Sequence, residues 1–562
     1  MIPIVVRGAI SDVSGFGSFC RNVVRSIVNA GFYPDIMSTD SRIFSSYKYN
    51  SEDEEKLLTH LVDKKEFDIK KSIVLNVCPA IRFNRIYGYN VGYTMLEVDK
   101  CSDVWVDWCN KIDRVYLPGP WNKEIHDKSG VNNSVIIEPP IDLESFHYRE
   151  SDEFGVWNDV PKFDFLFITS AHILKSAEDR KGVRKLIRAF IREFRNDKSV
   201  ALLIKSQVTN HSAFDRIEIN SNLSDILEKE DGVSMQDRII IYHRNNKSDE
   251  MATLYSHPNI RCFVSPTFGE GVGMNLIEAS ACGLMVMATG WSEHINYLHN
   301  FIPLKYKLSE VQDEFVDFKG TVYPEGSKCA IVSTEHLMQK MRGFYELTKN
   351  TKRLVTSNGN YSNLSFESVG KKILKDLESV ELPKRTFNVP DKVQVGCGNN
   401  PERGYFNIDT DDNLCSQCDM IMDVRNLTFP SKSISKILIN QLLEHLNESD
   451  IVLALSNCFD VLKSGGELEI HTPNIEWAFK RYLETGGLRT FEQNDRLTKM
   501  ILGTNDNHKS LIGMRKMRFL LTICGFRDIK EIEYVDFMDK ITRVVFEDDS
   551  IFVTFKLKAL KP

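Results

Sequence analysis

The chain alternates short apolar runs with amphipathic stretches, the pattern of α/β domains built on parallel sheets. Ile2–Val6 reads as a strand, Ser11–Ser18 as a glycine-bearing loop, and the next stretch as a helix carrying Phe19, Val23, Val24, Ile27 and Val28 on one face. A second block opens with a strand at Phe163–Thr169. It continues with a helix over Gly182–Arg195, where Val183, Leu186, Ile187, Phe190, Ile191 and Phe194 recur at helical spacing, and a strand at Val200–Lys205. Ser151–Pro161, polar and holding Gly155 and Pro161, reads as a linker between the two. Pro383 and Pro390 bracket a stretch without sustained pattern, after which a new strand begins at Lys392. These boundaries predict domains over 1–150, 151–380 and 392–562, with a linker over 381–391.

A chain of 562 residues is too long for one core, at roughly 150 residues per domain. Its 42% apolar and 27% charged content excludes wholesale disorder and fibrous repeats. With 71 basic against 78 acidic residues the net charge is −7, so no global positive field draws it to nucleic acid or anionic membrane, and nucleic acid is disfavoured as a partner. The opening Met-Ile-Pro-Ile-Val-Val-Arg-Gly lacks the parts of a secretion signal. No run of about 18 apolar residues goes uninterrupted by charge, which leaves membrane contact, if any, peripheral. The 12 cysteines are scattered and lack zinc spacing, as reduced thiols in a cytosol-like compartment would. A cytoplasmic location and no metal are the expectations.

The most informative segment is Ser265-Pro-Thr-Phe-Gly-Glu-Gly-Val-Gly-Met-Asn-Leu-Ile-Glu-Ala-Ser-Ala-Cys-Gly, with two glutamates eight positions apart. If Cys262–Ser265 is a strand and Met274–Ala281 a helix, the turn between them presents backbone N–H groups at a helix N-terminus, which suits a phosphate. Glu270 and Glu278 would then flank that anion from different depths, placed to grip sugar and ribose hydroxyls.

This segment resembles the signature of the retaining, nucleotide-sugar-dependent glycosyltransferases of GT-B fold often called family four. The resemblance implies two Rossmann-like domains in the GT-B arrangement. It places Glu270 by the donor sugar near the reacting carbon and Glu278 on the nucleotide ribose, with Gly271, Gly273, Met274 and Asn275 in the donor-binding turn. Asp179-Arg-Lys-Gly-Val resembles the family's basic turn, so Lys181 would contact the donor diphosphate. The arginine usual after the preceding strand is replaced here by Ser170-Ala-His-Ile-Leu-Lys, leaving Arg180, Lys181 and Lys205 as candidate cations. Ser14-Gly-Phe-Gly-Ser resembles the glycine loop that approaches the donor phosphates, through Gly15 and Gly17. Relatives often carry a histidine where this chain offers Met-Leu-Glu-Val-Asp; Glu97 would contact the donor sugar or orient the acceptor, the alternative being a helix-cap carboxylate.

From Lys392 the chain reads Val-Gln-Val-Gly-Cys-Gly-Asn-Asn-Pro and then Tyr-Phe-Asn-Ile-Asp. A strand enters glycines that admit a ligand, and a second strand ends in an acid able to hold ribose hydroxyls. The distance from Gly398 to Asp409 falls short of the roughly 20 residues usual for nicotinamide cofactors. The stretch resembles class I S-adenosylmethionine-dependent methyltransferases, a match that continues through Leu442-Leu-Glu-His-Leu, Leu462-Lys-Ser-Gly-Gly-Glu-Leu and Cys524-Gly-Phe. It implies a third Rossmann-like domain binding S-adenosyl-L-methionine, with Gly396, Cys397 and Gly398 along the methionine part, Asp409 on the ribose and Asp423 near the adenine. His445, beside Glu444, is the candidate to take a proton from a sugar hydroxyl, and His508 would face the acceptor.

The chain is thus expected to be a bifunctional enzyme that adds a sugar to a glycan acceptor with retention and O-methylates a glycan hydroxyl. The alternatives are the same chemistries on nucleic acid or protein, and a glycan-binding scaffold with one inactive half.

Overall fold

The structure is a computed structural model that describes residues 2–10, 12, 14–38, 48–63, 71–83, 88–171, 180–206, 213–311, 323–356, 359–382, 389–398, 400–409, 418–427, 429–473, 513–531, 535–536 and 553–562. His508 and most of the 381–391 linker lie outside the described residues. The chain divides into two compact units, Met1–Lys384 and Arg385–Pro562.

The first unit holds two six-stranded, wholly parallel sheets. Strands β1 (Ile4–Gly8), β2 (Asp35–Ser38), β3 (Ile73–Val77), β4 (Tyr89–Tyr93), β5 (Arg114–Leu117) and β6 (Ser134–Ile136) run in the order β2-β1-β3-β4-β5-β6. Strands β7 (Phe165–Ser170), β8 (Val200–Lys205), β9 (Ile239–Tyr242), β10 (Ile260–Ser265), β11 (Met285–Thr289) and β12 (Phe301–Leu304) run β12-β11-β10-β7-β8-β9. Central strands such as β1, β3, β8 and β10 are buried along their whole length, as strands covered by helices on both faces must be, which is why they read as unbroken apolar runs. The two sheets face one another across a cleft in the GT-B arrangement. A two-stranded antiparallel pair, β13 (Tyr306–Glu310) and β14 (Lys328–Val332), follows the second sheet.

Helix α1 (Gly15–Asn29) begins earlier than its apolar face suggests. The Ser14 hydroxyl accepts from Gly17 N at 3.2 Å, so the predicted Ser11–Ser18 loop ends at Ser14, and Gly15 and Gly17 lie in the first helical turn rather than in a loop. The reason is capping: a serine in extended conformation at the N-cap outweighs two glycines behind it. The predicted linker Ser151–Pro161 is pinned by hydrogen bonds. Asp152 accepts from the Val156 and Trp157 amides at 2.8 Å each, and the Trp157 indole donates to Thr253 O at 2.8 Å.

Four more helices of this unit matter below: α2 (Pro120–Ser129), α3 (Val183–Phe194), α4 (Met274–Ala281) and α5 (Thr334–Thr348). A last one, α6 (Phe366–Glu378), returns to the first sheet and packs on α1. There Asp376 receives Arg114 at 2.6 Å and the Tyr116 hydroxyl at 2.7 Å. One hydrophobic cluster runs from Phe19 and Val24 through Tyr93 and Ile141 to Tyr255 and Ile277, so both sheets share a core.

The second unit is one sheet of β15 (Lys392–Val395), β16 (Phe406–Asp409), β17 (Met420–Ile421), β18 (Ile434–Asn440), β19 (Leu462–Pro473), β20 (Arg527–Glu531) and β21 (Val553–Leu560). The order is β17-β16-β15-β18-β19-β21-β20, with β21 antiparallel to both neighbours. This is the third Rossmann-like domain expected from the sequence.

The return helix gives a direct test. A Cβ on Gly370 would lie 1.9 Å from Ser26 O, so Gly370→Ala should destabilise the first unit by about 1–3 kcal/mol. Gly343, exposed within α5 with nothing within 4 Å of its Cβ position, is the control: Gly343→Ala should stabilise by about 0.5–1 kcal/mol. Shifts of opposite sign in the thermal midpoint check both.

Candidate active sites

In open parallel sheets, ligand crevices form where neighbouring strands send their chains in opposite directions, at the carboxyl edge. In the second sheet that point lies between β7 and β10. The residues after β7 include Arg180 and Lys181, and those after β10 carry Glu270. Both sets line a cleft of about 510 Å³ to which the first sheet contributes Gly15, Met95 and Glu97.

Glu270 is the electrostatic centre. Its carboxylate, buried to 5% side-chain exposure, accepts from Lys181 Nζ with both oxygens at 2.7 Å, and Arg180 stands 3.7 Å away. Burial alone would push this acid up, but Lys181 and then Arg180 outweigh it and hold it at about 2. Arg180 also donates to Gly269 O at 2.7 Å and lies 3.9 Å from Glu97, which accepts from the Tyr323 hydroxyl at 2.9 Å. Glu97 sits in the segment between β4 and the helix Asp103–Lys111, whose N-cap is Ser102, so the cap alternative for Glu97 does not hold.

Glycines let these segments interlock. A Cβ on Gly269 would lie 2.0 Å from Glu97 O, one on Gly271 would lie 2.6 Å from Met95 Cγ, and Gly182, at φ +69°, would drive one to 2.3 Å from Pro266 O. Gly273 caps α4 in the left-handed region at φ 76°, which turns the first amides of that helix toward the cleft.

The other expected residues divide. Met274, Asn275, Glu278 and Lys205 line the same cleft. Burial and then the Asp142 charge raise Glu278 to about 8, while burial lowers Lys205 to about 8, its Nζ donating to Arg244 O at 2.6 Å. Gly15 lines the cleft but Gly17 does not: a Cβ there would meet Asp12 O at 2.1 Å, so Gly17 fits the chain against itself. Arg21, 3% exposed, holds that stretch by donating to Ile10 O at 2.9 Å, Asp12 O at 2.5 Å and Ser18 Oγ at 3.0 Å. No local pattern pointed to it, since an arginine one turn into an amphipathic helix reads as surface.

Also unforeseen is the buried group around Glu293. Its carboxylate accepts from Asn122 N at 2.7 Å, Asn122 Nδ2 at 3.0 Å and Asn296 Nδ2 at 2.8 Å. Before it, Ser292 holds φ +80° with an extended ψ of −173°, a region that residues with a Cβ rarely enter. Its hydroxyl accepts from Glu270 N at 2.9 Å and lies 3.2 Å from His294 Nδ1.

In the second unit the switch point falls between β15 and β18. Gly396 (φ +72°) and Gly398 (φ +51°) follow β15 in left-handed conformations. A Cβ on Gly396 would lie 2.9 Å from Leu442 Cβ, whereas the Gly398 position has nothing within 4 Å. Asp409, ending β16, accepts from Gly398 N at 2.9 Å. Cys397 between them is buried, which raises its thiol to about 11. Asn440 Oδ1 is buried and, among the described residues, accepts no hydrogen bond from the protein. An open glycine turn, a strand-end carboxylate and a spare buried acceptor fit a ligand with an amino group and a ribose.

Asp423 is engaged elsewhere: it caps the turn Val424–Asn426 and forms a forked ion pair with Arg425, which also reaches Asp450 at 3.0 Å. His445 closes the turn Leu443–His445 half-buried. Its neighbour Glu444, 3% exposed, accepts from Thr472 Oγ1 at 3.0 Å and is raised by burial to about 7. Among the described residues no group of three His, Cys, Asp or Glu side chains converges as a metal site, and no helix is long and apolar enough to cross a membrane.

No protein-family model matches the sequence, and neither does any curated protein. Among solved structures, the chain is similar to the sucrose-phosphate synthase of Thermosynechococcus elongatus, at 12% identity over 67% of this chain and 98% of that one, with a TM-score of 0.47. It is similar to an α,α-trehalose-phosphate synthase (UDP-forming) from Burkholderia vietnamiensis at 8% identity, over 68% of this chain and 100% of that one, TM-score 0.44. It also matches a SAM dependent methyltransferase from Archaeoglobus fulgidus at 15% identity, over 34% of this chain and 92% of that one, TM-score 0.22.

Two measurements probe the electrostatics. Lys181→Met leaves the Glu270 carboxylate buried beside Arg180 alone and should cost about 3 kcal/mol of stability, most of it recovered in the double variant with Glu270→Gln. Glu278, raised to about 8 in the folded chain, keeps a proton that the unfolded chain releases above its ordinary value. Its contribution to stability is therefore present at low pH and lost as pH rises to about 8. Glu278→Gln should raise the thermal midpoint relative to the parent more at alkaline than at acidic pH.

Proposed function

We propose that the first unit transfers a glycosyl group from a nucleotide-sugar donor to a glycan acceptor with retention, and that the second transfers a methyl group from S-adenosyl-L-methionine to a glycan hydroxyl. The observation that carries the first half is the meeting of Glu270, Lys181 and Arg180 at the sheet's switch point, in a cleft that also holds Glu278, Lys205 and the amino end of α4.

As the bond between the sugar's anomeric carbon and the diphosphate oxygen breaks, negative charge gathers on the leaving group. Arg180, Lys205 and the α4 amides supply positive potential where it develops. Lys181 keeps Glu270 ionised, so that carboxylate accepts a donor-sugar hydroxyl and faces the positive charge growing at the anomeric carbon. The acceptor oxygen bonds to that carbon, and its proton passes to the departing phosphate oxygen. Glu278 takes the ribose hydroxyls, and Glu97 orients the sugar or the acceptor from the opposite side.

In the second unit, Gly396, Cys397, Gly398 and Asp409 would hold the cofactor, which when bound supplies an electrophilic methyl group. Glu444, raised by burial to about 7, is placed to take the hydroxyl proton, with His445 beside it as the second candidate base.

The test is one preparation assayed for both chemistries with a panel of nucleotide sugars and glycan acceptors. Glu270→Gln should cut glycosyl transfer about 100-fold and leave S-adenosylmethionine binding intact. Asp409→Ala should abolish that binding, measured calorimetrically, and leave glycosyl transfer intact. Glycosyl transfer that survives Glu270→Gln, or methyl-donor binding that survives Asp409→Ala, overturns the corresponding half.

A further inference from the structure

Asn122 and Glu293 form a buried knot one residue away from both carboxylates that face the cleft from its two sides. Asn122 is wholly buried in the first turn of α2 and Glu293 is wholly buried after β11. Asn122 Oδ1 accepts from Leu96 N at 2.8 Å, and Leu96 precedes Glu97. Asn122 Nδ2 donates to Gly271 O at 3.0 Å, and Gly271 follows Glu270. A single amide thus ties down the backbone beside each acid.

Glu293 in turn fixes the amide. It accepts from both the backbone N and the Nδ2 of Asn122 with one oxygen and from Asn296 with the other, while its own N–H donates to Glu270 O at 3.3 Å. Its charge sits at the amino end of α2, which has no side-chain cap of its own, where a carboxylate satisfies the free amides and the helix dipole. The residue before the helix is Gly119, where a Cβ would stand 2.2 Å from Glu293 Oε1. The strained Ser292 backbone delivers Glu293 to this position while its hydroxyl receives Glu270 N. Strain of that kind persists only where its surroundings over-determine it.

We propose that Asn122 and Glu293 are positioning residues that set the mutual placement of Glu97 and Glu270. This rests on the reading of the cleft as a glycosyl-transfer site. Neither residue lines the cleft.

The test pairs kinetics with amide hydrogen exchange on the full chain. Asn122→Ala should lower kcat about 10–100-fold, while binding of UDP, GDP and ADP stays within threefold of the parent, and should speed exchange at Leu96 at least tenfold with the first unit still folded. Asn122→Asp sets a carboxyl against Glu293, and two acids at that distance share one proton. The shared proton restores the donor to Glu293, so kcat should be recovered in part at low pH and fall as pH rises, with no matching change in thermal midpoint. Unchanged exchange at Leu96, or a kcat loss that only tracks unfolding, overturns the proposal. If the parent turns over no nucleotide sugar while Leu96 still loosens in Asn122→Ala, the knot stands and the glycosyl-transfer reading fails.

Discussion

A carboxylate almost sealed from water stays charged only where cations or several hydrogen-bond donors meet it, since burial by itself favours the neutral acid. Glu270 meets that condition through Lys181 on both oxygens, with Arg180 behind. The requirement propagates outward. Lys181 and Arg180 must come from the segment after β7 and Glu270 from the segment after β10. These strands must therefore be neighbours although β8 and β9 intervene in the chain, and the order β12-β11-β10-β7-β8-β9 supplies that. Gly182 must let the basic turn pass against Pro266 O, and Gly269 must let Glu97 approach from the first sheet. The sheet order, the glycines and the shared core of the first unit all serve to hold a few charges within about 4 Å of one another, where in a low-dielectric setting their interaction is worth most.

How much of this the sequence carried depends on the range over which each feature is determined. Strands buried on both faces appear as apolar runs, and Val200–Lys205 and Met274–Ala281 coincide with the elements observed. Glu270, Lys181 and Glu278 were legible because they sit within short segments whose spacing is itself the signal. Asn122, Glu293 and Arg21 were not legible. Their roles come from partners 26 to 171 positions away in the case of Asn122, and nothing local distinguishes a buried asparagine in the first turn of a helix from an exposed one. The misread start of α1 has the opposite cause: two glycines argued for a loop, but Ser14 supplies the cap that makes a helical turn there tolerable.

The same edge-of-sheet logic recurs in the second unit with different contents. Where Arg180 and Lys181 meet the first cleft, the second unit's glycine turn meets Asp409, which accepts from a backbone amide, and Asn440 Oδ1, which among the described residues has no protein partner. That contrast agrees with the ligands proposed for the two sites. A diphosphate demands positive charge, whereas a ligand presenting an ammonium and ribose hydroxyls demands acceptors. Asp423, which the resemblance sets near the adenine, has its oxygens taken up by Arg425 and that residue's own amide, so it braces the turn that follows β17.

Glu278 and Glu444 are raised for one physical reason and suit two purposes. At each, burial is the largest influence and no cation offsets it, in contrast to Glu270, which is buried and fully paired. An acid raised toward neutrality can donate as well as accept. If Glu278 holds ribose hydroxyls as proposed, the hydrogen bonds it receives would favour its ionised form, so binding there would release a proton. In the proposed methyl transfer, the same poise at Glu444 would provide a place for the proton leaving the hydroxyl. Cation pairing and its absence thus divide these three glutamates into one held permanently charged and two able to change charge near neutral pH, a division set by which strand ends bring lysine and arginine to the crevice.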